Sequence, residues 1–285
     1  MSILLLFALL FFLSCLFIAI TTYLLYWYEH EPRIETLFPS RRDAQKAVRR
    51  GIFSALCSQL FCFTIYLSGT ILQYWRKKTP KAPACADAPV ILVHGLFHNS
   101  TAWVLFRHWF KKTGITNCAT FFYSSRNDFN TISRELDTYL TMVLDKYPDS
   151  KPVLIGHSLG GLLLRNWLAS SERATEVSGL ITLGTPMLGS KLATFSATAL
   201  GQQLAYNGTL IQQIEAREHE KKIPPVPCFA LYSPVDNMVL PQESVATPPK
   251  GWTLIKTTPV SHLAMLNNKA IAILVSGIIT KLFSK

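Results

Sequence analysis

The sequence lacks the residue spacings of a metal centre. Its seven histidines have no cysteine or carboxylate at ligand spacing, and its six cysteines form neither a paired zinc motif nor the dense pattern of a disulfide scaffold. We therefore expect no metal site, and nothing in the sequence requires another cofactor. The cysteines are Cys15, Cys57, Cys62, Cys85, Cys118 and Cys228.

Acidic residues are also scarce, since 17 Asp and Glu stand against 28 Lys and Arg, for a formal net charge of +11. More than half of this excess lies within residues 1–81, beside long apolar runs, where basic residues commonly meet lipid headgroups. No motif combines basic and aromatic residues as nucleic-acid-binding domains do. We therefore expect a membrane partner and no nucleic acid.

Two apolar runs, residues 3–28 and 52–75, carry no charge, and each exceeds the roughly 20 residues that a membrane-spanning helix needs. A cleaved signal peptide is disfavoured for the first run, which is too long and has no small-x-small site after it. The alternative for the second run is a helix that lies on the membrane surface or packs on the domain. The sequence predicts a membrane anchor over residues 1–81, a hairpin of two transmembrane helices with a basic loop.

Basic residues predict the orientation of this hairpin. The loop between the runs contains six of them and the segment after the second run contains four, so the positive-inside rule favours a cytoplasmic loop. The catalytic domain would then lie on the non-cytoplasmic side. The loop residues are Arg33, Arg41, Arg42, Lys46, Arg49 and Arg50, and the later ones are Arg76, Lys77, Lys78 and Lys81.

Residues 82–285 alternate short apolar runs with amphipathic helical segments, which is typical of an α/β fold with a mostly parallel sheet covered by helices. The predicted strands cover residues 90–93, 119–123, 153–156, 180–183, 228–231 and 253–256.

The third of these strands runs into Gly156-His157-Ser158-Leu159-Gly160-Gly161 and then into a helix. A G-x-S-x-G sequence between a strand and a helix predicts the nucleophile turn of an α/β-hydrolase fold. Small residues at this turn let backbone segments approach closely and leave the serine hydroxyl exposed. Ser158 is therefore the candidate nucleophile.

A serine hydroxyl needs a base that is oriented by an acid, and in this fold acid and histidine follow the serine in that order. Asp236 follows the predicted strand 228–231, with Glu243 as the reserve acid, and His262 follows the strand 253–256. The only other histidine after Ser158 is His219, in a charged stretch typical of a solvated helix face.

Negative charge on a reacting carbonyl oxygen needs hydrogen-bond donors. The backbone amide of Leu159, directly after the nucleophile, is one candidate. The amide of Leu96 is the other, because Gly95 permits a tight turn after the strand 90–93. We interpret His94 as an architectural residue of this turn.

These segments resemble bacterial α/β-hydrolase lipases and esterases of the Gly-His-Ser-Leu-Gly-Gly type. The resemblance covers most of residues 88–266 and is carried by residues 93–95, 156–161, 183–186, 232–239 and 261–263. It implies cleavage of carboxylic esters through an acyl-enzyme by Ser158, His262 and Asp236, without a cofactor. It also implies a lipid or acyl-ester substrate and, with the apolar runs, a place in the bacterial inner membrane.

More than 40 residues separate the strand ending at Leu183 from the one beginning at Cys228, which is longer than an ordinary connection. Residues 187–225 are therefore a lid-like insertion, whose apolar residues suit either an acyl pocket or packing on the sheet.

Two other functions remain open. The same acyl-enzyme would serve an acyltransferase, and the fold could also persist as a non-catalytic membrane scaffold.

Overall fold

Six short runs rich in Val, Ile and Leu form one parallel sheet in the order β2-β1-β3-β4-β5-β6. The computed structural model describes residues 3–75, 88–221 and 224–284, without the side chains of residues 67–75. The central strands β1, β3 and β4 are buried along their whole length, as parallel strands covered on both faces are. The strands are β1 (Val90–Val93), β2 (Cys118–Phe121), β3 (Val153–His157), β4 (Gly179–Leu183), β5 (Cys228–Tyr232) and β6 (Thr253–Lys256).

Helices cover both faces of this sheet. The apolar sides of α5 and α6 form a core with one face, and those of α4 and α10 form a core with the other. The predicted α/β fold is confirmed, and each predicted strand is present with its ends shifted by at most two residues. The helices are α1 (Ile3–His30), α2 (Ile34–Leu37), α3 (Arg41–Trp75), α4 (Val104–Lys112), α5 (Phe129–Lys146), α6 (Leu159–Ser170), α7 (Ala199–Gln203), α8 (Thr209–Lys221), α9 (Glu243–Ala246) and α10 (Lys269–Phe283).

The predicted basic loop is mostly helical. Five of its six basic residues lie in the first three turns of α3, which begins at Arg41. The end of α1 and the turn after it touch the catalytic domain, because Lys191 Nζ lies 2.6 Å from Glu29 Oε1 and Arg33 pairs with Glu243. The prediction that this segment and the catalytic domain lie on opposite membrane faces is therefore incompatible with the structure.

The second apolar run also contacts the catalytic domain. Ser54 accepts a hydrogen bond from the Ser261 amide at 2.8 Å, and the Tyr66 carbonyl accepts one from Asn99 Nδ2 at 3.3 Å. The described part of the run thus contacts the domain, and the second membrane span stays a prediction. Among the described residues, one helical segment, Ile3–Leu37, is long and apolar enough to cross a membrane. The predicted boundary between anchor and catalytic domain, 81/82, lies outside the described residues.

Glycines allow the backbone contacts between β1, β3 and α6. A Cβ on Gly160 would lie 2.3 Å from the Val93 carbonyl oxygen and 2.5 Å from that of His94. Because both neighbours are buried backbone atoms, one at the end of β1 and one directly after it, neither can move aside at low cost.

We expect Gly160→Ala to lower the free energy of unfolding by about 1–3 kcal/mol, because the added methyl group overpacks this contact. Gly277→Ala is the matched control, since a Cβ there meets no atom within 4 Å on an exposed position of α10. It should raise stability by about 0.5–1 kcal/mol through helix propensity. Denaturant unfolding followed by circular dichroism in mild detergent measures both, and equal effects of the two substitutions would contradict the expectation.

Candidate active site

Ser158 lies at the sharp turn between β3 and α6. Its backbone has φ 53° and ψ −124°, a conformation that costs a non-glycine residue energy and that surrounding contacts must hold in place. The Ser158 amide donates to the Leu183 carbonyl at 2.9 Å, and Thr185 Oγ1 donates to the Ser158 carbonyl at 3.1 Å. These bonds to the end of β4 and its following loop fix the strained turn.

The loops after β5 and β6 bring Asp236 and His262 together. His262 Nδ1 donates to Asp236 Oδ2 at 2.7 Å, while Asp236 Oδ1 accepts from the amides of Met238 and Val239, both at 3.0 Å. Both side chains are buried, with Asp236 1% and His262 5% exposed. Because Nδ1 is the donor, Nε2 of His262 is the ring nitrogen that is able to accept a proton.

Ser158 and His262 line one cavity of about 270 Å³. Among the described residues, no hydrogen bond joins the Ser158 hydroxyl to His262, as is common in sites without substrate. The reserve acid Glu243 is not part of this site, because it pairs with Arg33. His219 lines a separate cavity beside Arg165. The 270 Å³ cavity is also lined by Gly95, Leu96, Phe97, His98, His157, Pro186, Ser190, Leu192, Ala193, Phe195, Ser196, Gly201, Leu204, Met238, Val239 and Leu263.

The two candidate oxyanion donors, the backbone amides of Leu96 and Leu159, follow β1 and β3, between which the order of the strands reverses. From β1 the chain runs outward to β2 and then returns to β3 on the other side of β1, which opens a crevice at the carboxyl ends of β1 and β3. Leu159 begins α6, so its amide has no acceptor within the helix. Leu96 follows Gly95, at which a Cβ would lie only 3.0 Å from the Cβ of Ser158. Both candidate donors thus belong to segments next to the nucleophile.

The insertion, residues 187–225, divides into two parts. Its first part includes Leu192, Phe195 and Leu204, which line the cavity, and Phe195 is 79% exposed. Its second part, α8, packs into the core through Leu210, Ile211 and Ile214 and is tied down by two hydrogen bonds between Arg165 and Glu218, of 2.8 and 2.6 Å. Both sequence interpretations therefore hold, each for one part. That the first part is a mobile lid stays a prediction.

Three further buried histidines surround the site, and the sequence reasoning gave a role to His94 alone. Burial lowers the pKa of His94 to about 3 and, with the nearby charge of His262, that of His98 to about 4. Burial also lowers the pKa of His157 well below its usual range, and its Nε2 donates to the His262 carbonyl at 3.2 Å. His94 stacks on Tyr123 at 4.3 Å between ring centroids. Burial thus favours the neutral form of these three imidazoles.

The sequence did not point to two further polar residues that hold the loops of the site, Asn237 and Ser233. Asn237 is buried and holds the His262 amide through its Oδ1 at 3.1 Å, and Ser233 Oγ donates to the Val260 carbonyl at 2.5 Å. The only signal for Asn237 in the sequence is its place directly after Asp236. Among the residues that the structure describes, no three His, Cys, Asp or Glu side chains are placed to hold a metal ion.

Comparison with known proteins supports an ester hydrolase. Residues 86–215 match the family described as "Putative serine esterase (DUF676)". The structure is similar to lipase BlEst2 from Bacillus licheniformis in its propeptide form, with a TM-score of 0.53 and 21% identity over 71% of this chain and 52% of that one. It is also similar to Est1E from Butyrivibrio proteoclasticus, with a TM-score of 0.52 and 16% identity over 70% and 90%. These likenesses show the α/β-hydrolase fold, and the family match over residues 86–215 supports an ester hydrolase.

Phospholipase PlaB from Legionella pneumophila is a more partial match, with a TM-score of 0.46 and 19% identity over 51% of this chain. The chain covers 37% of the PlaB chain with which it was compared, so this likeness carries no functional argument. A comparison with curated proteins found no match.

The buried neutral histidines predict a loss of stability in acid. A pKa of about 4 for folded His98, against 6.5 unfolded, means that the unfolded chain binds more protons between these pH values. The contribution of His98 is therefore fully present above pH 6.5 and is lost as the pH falls towards 4. We expect His98→Gln to reduce the slope of unfolding free energy against pH in this window. The exposed His108→Gln is the control, and an unchanged slope in His98→Gln would contradict the expectation.

Proposed function

We propose that this protein is a membrane-anchored serine hydrolase that cleaves carboxylic esters of lipids or other acyl compounds through a Ser158-His262-Asp236 triad. The observation that carries the proposal is the buried 2.7 Å hydrogen bond between His262 Nδ1 and Asp236 Oδ2, beside a cavity that Ser158 also lines. A serine in a strained turn, an oriented imidazole and a buried carboxylate are the parts that acyl transfer to a serine requires.

The reaction proceeds in two halves. His262 Nε2 takes the proton of Ser158 while Oγ attacks the ester carbonyl, and Asp236 stabilises the imidazolium that forms. His262 then gives this proton to the departing alcohol as the carbon–oxygen bond breaks, which leaves Ser158 acylated. A water molecule, deprotonated by His262, then attacks the acyl carbon. His262 returns this proton to Ser158 Oγ as the acyl–Oγ bond breaks, which releases the carboxylic acid and restores the free serine. The amides of Leu96 and Leu159 bind the negative oxygen of both tetrahedral intermediates.

The cavity favours a short acyl group. Its volume of about 270 Å³ lies just below the usual range of ligand pockets, roughly 300–1,000 Å³, and apolar side chains such as Leu192, Leu204, Val239 and Leu263 line it. An acyl chain of a few carbons fits within these walls, whereas the remainder of a long chain has to lie outside. We therefore propose short to medium acyl groups as the preferred substrates.

The membrane proposal rests on the first half of α1. The side chains of residues 3–14 are exposed on every side of the helix, and the segment Ile3–Leu37 reaches a mean hydropathy of 3.1 over an 18-residue window. A bilayer is the environment that such an exposed surface favours. Because the basic start of α3 lies on the same side as the catalytic domain, the positive-inside rule now favours a cytoplasmic domain.

We expect Ser158→Ala and His262→Ala each to lower kcat for p-nitrophenyl butyrate by roughly 10⁴-fold or more, because each removes a group that acts in the reaction. Asp236→Asn should also lower kcat severely, since it removes the acceptor that fixes the imidazole tautomer. Glu243→Gln is the matched control for the acid and should leave kcat nearly unchanged. The measurement uses the full chain purified in detergent.

The wild-type protein should hydrolyse p-nitrophenyl butyrate at least roughly tenfold faster than the palmitate ester, because the longer chain does not fit the cavity. Labelling by a fluorophosphonate probe accompanies the assay. Labelling without hydrolysis of any ester would favour the acyltransferase, and a folded wild-type protein that does neither would favour the non-catalytic scaffold and refute the proposal.

Anchoring is tested separately. Leu9→Arg combined with Leu13→Arg places two charges on the exposed half of α1, at a cost of roughly 3 kcal/mol each in the centre of a membrane helix. We expect the variant to leave the membrane fraction on washing with alkaline carbonate, whereas Glu35→Arg, an exposed change outside the apolar run, should stay bound. Retention of the double variant would argue against α1 as the anchor.

A further inference from the structure

We propose that α1 is more than an anchor: its second half positions the two loops that carry Asp236 and His262, so that Thr22, Tyr23 and Tyr26 are positioning residues of the active site. The inference rests on the proposed function. It follows from a set of buried hydrogen bonds that run from α1 to the residues on either side of Asp236.

Two tyrosines of α1 hold the backbone just before Asp236. Tyr26 Oη donates to the Pro234 carbonyl at 2.7 Å, and Tyr23 Oη donates to the Val235 carbonyl at 2.8 Å. Their rings are buried, with exposures of 0% and 2%. Without these hydroxyls, two successive carbonyls in a buried loop would lose their donors, and a buried unsatisfied acceptor is costly. The tyrosines thus fix the position of the chain from which the Asp236 side chain projects.

A second connection reaches His262 itself. Asn237 Nδ2 donates to Thr22 Oγ1 at 2.7 Å, and Asn237 Oδ1 accepts from the His262 amide at 3.1 Å. The Thr22 hydroxyl donates to the Ile18 carbonyl at 2.8 Å, so its oxygen is the acceptor for Asn237. Thr22 therefore sets the orientation of the Asn237 amide group, and that group holds the backbone of the catalytic histidine.

Helix α3 also holds the loop that carries His262. Ser54 Oγ accepts from the Ser261 amide at 2.8 Å, one residue before His262. One turn earlier, a Cβ on Gly51 would lie 2.2 Å from Tyr23 Oη, so that only glycine admits the tyrosine hydroxyl. Both apolar helices therefore contact the acid and histidine loops at the carboxyl end of the sheet, directly beside the reacting groups.

These contacts orient the Asp236 and His262 side chains and take no part in substrate binding. Thr22, Tyr23 and Tyr26 are not among the residues that line the cavity, so their loss changes no contact with the acyl group. A displaced imidazole, by contrast, no longer meets the Ser158 hydroxyl in a reactive geometry. Displacements of about 1 Å far from the chemistry lower rates by up to roughly 100-fold.

The test is the double variant Tyr23→Phe/Tyr26→Phe, which keeps both rings and removes both hydroxyls. Rates are measured in detergent with p-nitrophenyl butyrate and divided by the number of sites that a fluorophosphonate titrates. We expect kcat per titrated site to fall roughly 10- to 100-fold while KM changes by less than about twofold. Tyr28→Phe is the matched control, because this tyrosine of the same helix is 83% exposed.

Counting titrated sites separates positioning from folding. A variant that is merely less stable loses titratable sites but keeps its rate per site, and that result would overturn the inference. Thr22→Val should lower kcat per site as well, whereas Thr22→Ser, which retains the hydroxyl, should restore it. An unchanged kcat per site in both the tyrosine pair and Thr22→Val, beside an active wild type, overturns this inference alone. A wild-type protein without hydrolysis or labelling overturns the proposed function and this inference with it.

Discussion

The rest of the structure depends on the close approach of the backbone at the turn between β3 and α6. A Cβ on Gly156 would lie 2.4 Å from the Cα of Gly161, and a Cβ on Gly161 would lie 1.8 Å from Thr185 Oγ1. Side chains at these positions would push α6 away from the sheet and release the strained conformation of Ser158. The same approach draws the loop after β1 towards the nucleophile. The crevice between β1 and β3 thus exists because glycine occupies the places where strand, turn and helix meet.

A second constraint is the burial of the Asp236 carboxylate. Asp236 is 1% exposed, and a buried carboxylate is costly unless hydrogen bonds satisfy its oxygens. Two backbone amides and the His262 imidazole provide them, which leaves the carboxylate able to hold only one imidazole tautomer. The arrangement requires the loops after β5 and β6 to keep a fixed separation. Ser233 joins them by donating to the Val260 carbonyl and accepting from the Val260 amide.

The fold and the candidate site residues could be predicted because their signals are local. Apolar runs marked the six strands, and the spacing of Ser158, Asp236 and His262 along the chain matched the order of strands in an α/β-hydrolase. The environment of the two apolar helices could not be predicted in this way, since an uncharged run has the same composition whether it faces lipid or protein. Polar residues within the runs do not mark the buried side either: Thr22, Tyr23 and Ser54 contact the domain, whereas Ser14 and Thr64 are exposed and bond only within their own helices.

The burial pattern along α1 explains why one helix can serve two environments. From Cys15 onward, its buried residues recur every three or four positions and form a single stripe that faces protein, whereas residues 3–14 have no buried side. One continuous helix joins the two halves, so no linker separates the apolar half from the half that contacts the Asp236 loop. In the proposed membrane arrangement, the distance between the bilayer and Ser158 is therefore fixed by the helix. Under the proposed function, an ester bond would have to reach that distance to meet Ser158.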